Sequence, residues 1–201
     1  GCDVASSMLE YFKTDATMNP ELPEYKNPSW ALIQLHDFYS HIEDEEGIKN
    51  VSSLVQKHFI KHLGQPSLSF GADYTRNEFF SIYGNLLYCI ALASPDQNHT
   101  LSGLLDNLSQ NEILPVQTLG GSAHQYGMNW SRGWSFAFLG KVLSKDRLLD
   151  AAKSHIEAGI AHHNELQSNS SVTEQKKYYL YNHWVPQFMV YCITLLSNEA
   201  F

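Results

Sequence analysis

Apolar residues return at intervals of three and four along most of this chain, and nowhere do they alternate with polar residues over the length of a strand. Val4, Met8 and Phe12 mark a short first helix. Pro20, Pro23 and Pro28 then impose an extended connection, because each proline fixes φ and removes a backbone donor. Asn27-Pro28 sets an N-cap residue before the proline favoured in a first turn, opening a helix whose predicted buried face is Ala31, Leu35, Phe38 and Ile42. The acidic run Glu43-Asp44-Glu45-Glu46 ends that helix and suits the positive N-terminal end of the next. Ile48, Val51, Val55, Phe59 and Leu63 continue the helical step, and Gly64 stands where a left-handed cap is wanted.

Residues 65–73 form a loop that delivers Asp73, Arg76, Asn77 and Glu78 to the mouth of a longer helix. That helix carries Phe79, Tyr83, Leu86, Ile90 and Ala93 and stops at Ser94-Pro95. Leu101, Leu104, Leu105 and Leu108 predict a short helix, after which residues 110–127 are irregular, and a connection of that length is more often functional than idle. From about Asn129 the pattern is helical again, with Trp130, Trp134, Ala137, Phe138 and Val142 on one side. Leu148, Ala152, His155, Gly159 and His163 trace the next helix, residues 165–177 read as a flexible polar connection, and the last helix runs from about Tyr181 to Leu195. The prediction is an all-α chain of about eight helices paired as antiparallel α/α hairpins. It forms a single domain over 1–201, with an N-terminal helix and proline-rich connection in 1–27 and the hairpin core in 28–201.

Charge narrows the partners. With 13 Lys+Arg against 21 Asp+Glu and a net charge of -8, the chain lacks the basic footprint that nucleic acid or an anionic membrane surface demands. No run of eighteen apolar residues predicts a transmembrane segment. Cys2, Cys89 and Cys192 are odd in number, and the last two fall inside apolar helical patterns, so no structural disulfide is expected. Gly1-Cys2 reads either as the start of a mature lipoprotein in a bacterial periplasm or as an arbitrary beginning of a cytoplasmic chain.

The candidate chemistry concentrates in His124-Gln-Tyr-Gly-Met-Asn-Trp-Ser-Arg-Gly-Trp134, at a predicted loop-to-helix junction where unpaired N–H groups favour a polar ligand. In that stretch His124 is the acid/base candidate, Arg132 a clamp for an acidic group, and Trp130 or Trp134 a stacking platform, with Asn129 and Ser131 as further substrate contacts. The same residues have an ordinary reading, in which Asn129 or Ser131 caps the helix, Arg132 pairs with an acidic neighbour and the tryptophans are core. His183-Trp184 forms a second aromatic-rich junction, and Glu78 is the candidate carboxylate for acid/base work. His58 and His62 have the spacing of a helical metal pair, but Lys57 and Lys61 oppose a cation there, and no metal is expected. No phosphate-binding loop, dinucleotide fingerprint or nucleophile elbow is present, and no cofactor is expected.

Two of these segments together resemble a family. The run His124-x-x-Gly127-x-Asn129-x-Ser131-Arg132-Gly133-Trp134 is similar to the His-Leu-Asp-Gly-Leu-Asn-Leu-Ser-Arg-Ala-Trp motif of the uncharacterised bacterial DUF2891 proteins. His183-Trp184-x-x-x-Phe188-x-x-Tyr191 resembles their closing His-Trp-Leu-Ala-Ser-Phe-Ala-Val-Tyr, and the similarity covers roughly residues 113–197. Gln125-Tyr126 replaces Leu-Asp of the motif and removes an acidic side chain. The resemblance implies an α/α-hairpin, partly toroid-like architecture of the kind seen in carbohydrate-active enzymes.

Two functions follow from this reading. In the first, the chain is a carbohydrate-active enzyme, hydrolase- or lyase-like, whose cleft brings His124, Glu78 and His183 to a small-molecule or saccharide ligand held by Asn129, Ser131, Arg132, Trp130, Trp134 and Trp184. In the second it is a non-catalytic helical binding or interaction module, with Arg132 buried against a helix-end carboxylate such as Glu78. The first requires His124 and His183 to meet at one cleft.

Overall fold

Four of the described α-helices start at a side-chain cap. The computed structural model describes residues 2–12, 14, 16–75, 78–116, 122 and 124–197. After α1 (Cys2–Tyr11), α2 (Pro28–His41) begins where Asn27 Oδ1 accepts from Ser29 N at 3.0 Å, and α3 (Glu45–His58) begins where Asp44 Oδ1 accepts from Gly47 N at 3.0 Å. α4 (Ile82–Ala93) starts at Ser81, whose Oγ accepts from Gly84 N at 3.0 Å. In each case a side-chain oxygen takes one of the donors that a first turn leaves unpaired. α5 (Asn98–Asp106) and the one-turn α6 (Gln110–Ile113), with a reciprocal Ser109–Glu112 capping box, lead to α7 (Met128–Val142). α8 (Asp146–Ser168), α9 (Val172–Tyr181) and α10 (Val185–Ser197) complete the described chain, which contains no strand among its described residues.

Two hairpins share one turn. α2 and α3 are joined through Glu43 (φ 56°), with Asp44 N donating to Tyr39 O at 2.9 Å; α7 and α8 are joined through Ser144 (φ 53°), with Lys145 N donating to Gly140 O at 2.8 Å. Both are left-handed C-terminal caps made without glycine. The α7–α8 register is antiparallel: Gly159 lies against Trp130, and Leu149 lies against Gly140. α7 is the centre of the fold, buried from Met128 to Gly140, with α4 on one side and α8 and α10 on the other. α2 packs on α4, and α3 packs on both. The main core therefore runs α2, α4, α7, α10, and it is unusually aromatic, with Phe59, Phe70, Phe80, Phe136 and Phe138 almost fully enclosed.

Ten α-helices are described where the periodicity predicts about eight. The polar segment 165–177, expected to be a flexible connection, is almost entirely helical, because α8 runs to Ser168 and α9 resumes at Val172. α9 is held by a Lys177–Glu174 ion pair at 2.8 Å and by the buried Tyr181 ring, and a solvated helix with one sparse apolar face has the composition of a coil. The final helix starts at Val185 rather than about Tyr181, with a turn at 182–184 ahead of Pro186, which has no N–H to continue the ladder. On α2 the buried face includes Leu32 and Ile33, while Ile42 is an exposed cap residue. Cys89 and Cys192 are buried free thiols, and burial pushes both well above the usual thiol range.

Candidate functional site

Gly127 closes the short 3-10 turn His124–Gly127 and passes directly into α7. A Cβ at this position would collide with the Phe79 carbonyl and would lie 2.8 Å from the Trp184 ring. Backbone can come this close to an indole only where there is no side chain. The two junctions singled out in the sequence thus meet, and their helices continue the contact: Trp134 packs edge-on to Phe188 at 5.0 Å and to Tyr191 at 5.5 Å, and Gly133 faces Cys192.

Above this meeting point lies a cleft of about 340 Å³. His124 and His183, 59 positions apart, both line it. Its other walls are Trp184 and Phe188 from the C-terminal segment, Phe79 and Phe80 from the approach to α4, and Tyr25, Asn27, Trp30 and Ala31 from the start of α2. The rings form a continuous lining: Phe79 lies 5.3 Å from Tyr25, 5.6 Å from Trp184, 5.8 Å from Phe188 and 6.1 Å from the His124 imidazole. Trp30 stacks at 4.9 Å on Trp134, which fixes its plane from behind. Asn27 spends its polar atoms on structure, donating to the Pro20 and Leu22 carbonyls at 2.9 Å besides capping α2. Both histidines are exposed at the rim, so the cleft is an apolar, aromatic box edged by two imidazoles.

The other candidates of the 124–134 stretch turn inward. Asn129 pairs with both backbone groups of Val116, accepting from its N at 2.8 Å and donating to its O at 2.9 Å. Ser131 Oγ accepts from Ser81 N at 2.6 Å, tying α7 to the cap of α4, and Trp134 Nε1 donates to Asn85 Oδ1 at 2.8 Å. Arg132 is fully buried: it donates to the Glu112 carbonyl, lies 3.8 Å from Asp73, and sits over the Phe70, Tyr74 and Phe136 rings at 5.2 to 5.8 Å. Asp73 in turn accepts from Ser81 Oγ at 2.7 Å. Trp130 and Trp134 are enclosed, at 1% and 0% exposure, so neither offers a free face as a stacking platform, and Arg132 is not a clamp at the cleft. The carboxylate beside Arg132 is Asp73, on the 3-10 turn Phe70–Tyr74.

Glu78 is half-buried next to Phe79 and is not among the residues lining the cleft. Arg76 and Asn77 lie outside the described residues. His58 closes α3 as a buried side chain, whereas His62 belongs to the following 3-10 turn and hydrogen-bonds Gln65 at 2.9 Å, so the pair does not share a helix face. Among the described residues, no group of three or more His, Cys, Asp or Glu is placed to hold a metal ion, and no helix is long and apolar enough to cross a membrane. A larger hollow of about 470 Å³ lies between α1 and α3, but it is walled by Ser6, Glu10, Glu46, Asn50 and Lys57 and contains none of the aromatic junctions.

The aromatic lining that sequence reasoning did not assign to a site is Tyr25, Trp30, Phe79 and Phe80, while Phe188 enters that reasoning only as a position of the second motif. Tyr25, just ahead of the Asn27 cap, is 89% exposed, a property that only the tertiary structure reveals. Comparison with known proteins leaves the site to be read from its geometry: no family model, no curated protein and no solved structure matches the chain.

Proposed function

We propose that the chain is a saccharide-binding helical domain and that the cleft between the His124 turn, the Trp184 turn and the start of α2 is its binding site. The observation that carries this reading is the convergence of His124 and His183 on one cleft walled by Tyr25, Trp30, Phe79 and Trp184. Flat apolar rings suit the C–H faces of a sugar, while imidazoles at the rim can donate to and accept from its hydroxyls. The size fits one or two sugar rings, given that small-molecule sites begin at about 300 Å³. The resemblance of two motifs to the DUF2891 proteins, which implies a toroid-like helical architecture of the kind carbohydrate-active enzymes use, points by analogy of fold to the same substrate class.

Binding is favoured over hydrolysis because the described lining holds no carboxylate, whereas glycoside hydrolysis ordinarily uses two across the scissile bond. A lyase- or hydrolase-like activity rests on the pairing of two imidazoles. In it His124 acts as acid/base, His183 is its partner across the cleft, and Glu78 beside Phe79 is the carboxylate such chemistry would draw upon. Calorimetric titration and tryptophan fluorescence with a panel of neutral, acidic and amino oligosaccharides test the proposal. A ligand of this class quenches the emission of Trp30 or Trp184 and raises Tm, and Trp184→Ala weakens it at least about tenfold. A panel that changes neither signal at millimolar concentration sinks the reading. Product analysis on the same mixtures separates the two functions, because only an enzyme generates new reducing or unsaturated ends that His124→Ala abolishes.

A further inference from the structure

Burial sorts the lining of the aromatic cleft by depth, and polarity follows the same order. His124, His183 and Tyr25 are exposed at the mouth, which therefore carries two imidazoles and a phenol hydroxyl. Trp30, Phe79, Trp184 and Phe188 are half-buried along the walls, where their side chains offer no polar atom beyond two indole N–H groups. Phe80 and Asn27 are enclosed at the floor. The Asn27 amide has given both its hydrogens to the Pro20 and Leu22 carbonyls, and its oxygen accepts from Ser29 N. None of the described lining residues is Asp, Glu, Lys or Arg.

The wall rings are set at angles to one another. Phe79 is inclined by 58° to Tyr25, 51° to Trp184 and 47° to Phe188, and Trp184 by 64° to Phe188. Rings in this arrangement surround a group instead of lying beneath it. They are also held in place from behind, Trp30 by Trp134 at 4.9 Å and Trp184 by Tyr181 at 6.3 Å, so little ordering is left for a ligand to impose. A planar hydrocarbon ring entering here meets tilted and edge-on faces on several sides, the geometry that aromatic pairs prefer. A sugar ring at the same depth would carry several hydroxyls past side chains that cannot pair with them, which weighs against binding. Room is sufficient for both parts of a mixed ligand: a cavity of about 150 Å³ admits a benzene-sized ring, and the cleft measures about 340 Å³.

We infer that the ligand is a neutral glycoside with an aromatic aglycone, its aryl ring held between Trp30, Phe79, Trp184 and Phe188 and its sugar at the mouth. This rests on the saccharide reading of the cleft and adds to it which part of the ligand goes inside. The sugar lays a C–H face on the exposed Tyr25 ring and presents its hydroxyls to His124 and His183. An acidic or phosphorylated sugar finds no Lys or Arg in the lining, since Arg132 is fully enclosed, and the chain's net charge of -8 opposes its approach.

The test is calorimetric titration of the full chain, near pH 7, with matched phenyl and methyl glycosides of glucose, galactose and mannose, and with phenol alone. For the sugar that binds, the phenyl glycoside is expected to bind at least about tenfold more tightly than its methyl partner and than phenol. Phe79→Leu, checked for an unaltered unfolding transition, keeps apolar bulk but removes the ring that touches the other walls, and brings the phenyl-to-methyl ratio toward one. Tyr25→Ala, at a side chain too exposed to unfold the chain, weakens the phenyl and methyl glycosides alike and leaves their ratio standing. Equal affinity for the phenyl and methyl partners, or a ratio that survives Phe79→Leu, overturns this inference while the saccharide reading stands. Phenol binding as tightly as every phenyl glycoside, or no binding by any probe, overturns both together.

Discussion

Arg132 and His183 come from the two junctions that looked most alike in sequence, and the fold treats them in opposite ways. Arg132, with Asn129 and Ser131, is fully enclosed and ties α7 to the Val116 segment, the Ser81 cap, the Glu112 carbonyl and Asp73. His183 and His124 stand exposed at the rim of the aromatic cleft. A dense polar stretch at a helix start therefore had two jobs, one to hold neighbouring segments in place and one to face outward. The inward set matters to the site only through what it positions, since Ser131 fixes the approach to α4 that carries Phe79.

That contrast breaks most readily at Asp73. Asp73→Ala leaves a guanidinium buried with its carboxylate removed, and chemical denaturation is expected to show a loss of about 3–5 kcal/mol. An unchanged midpoint would mean that the Arg132 network is not holding the fold. Gly127→Ala tests the seam between inside and outside. The new methyl group meets the Phe79 carbonyl and the Trp184 ring, so a cost of about 3 kcal/mol accompanies displacement of Trp184, seen as a shift in tryptophan emission.

The enclosed side of the comparison also has a pH signature. His155 is fully buried, its Nδ1 2.8 Å from the Ala151 carbonyl oxygen, and burial together with the Arg132 charge pushes its pKa down to about 3. The folded chain keeps this imidazole neutral while the unfolded chain protonates it near its ordinary value, so its contribution is complete above that value and is lost as pH falls toward 3. Between about pH 6.5 and 5 the loss is on the order of 2 kcal/mol, and unfolding curves of His155→Leu should show a correspondingly shallower dependence over that window.

Smaller effects are expected at the surface. Glu43 sits in the left-handed cap of α2 at φ 56°, where Glu43→Gly is expected to raise stability by about 0.5 kcal/mol, the relief of backbone strain being partly offset by a freer unfolded chain. The smallest change belongs to His183→Ala, within about 0.5 kcal/mol by denaturation, although the same variant weakens saccharide binding under the proposed function. A His183→Ala variant as unstable as Asp73→Ala would erase the distinction between the two junctions.

Much of this molecule was legible in its residues because the signals were local. Helical periodicity, Asn27-Pro28, the acidic start of α3 and the Ser94-Pro95 stop each act within a turn or two of their own position, so the all-α class and most helix starts follow from the chain alone. α9 did not, because a solvated helix with few buried rings has the composition of a loop. That His124, His183 and Trp184 line one cleft could be anticipated from two aromatic-rich junctions with histidines. Which face of α7 those junctions use could not. Only packing decides that α7 lies between α4, α8 and α10, and a helix enclosed on every side must satisfy its polar groups from neighbouring segments. Asn129, Ser131 and Arg132 were thereby drawn into the core, and Tyr25, Trp30 and Phe79, distant in sequence, were brought around the two histidines.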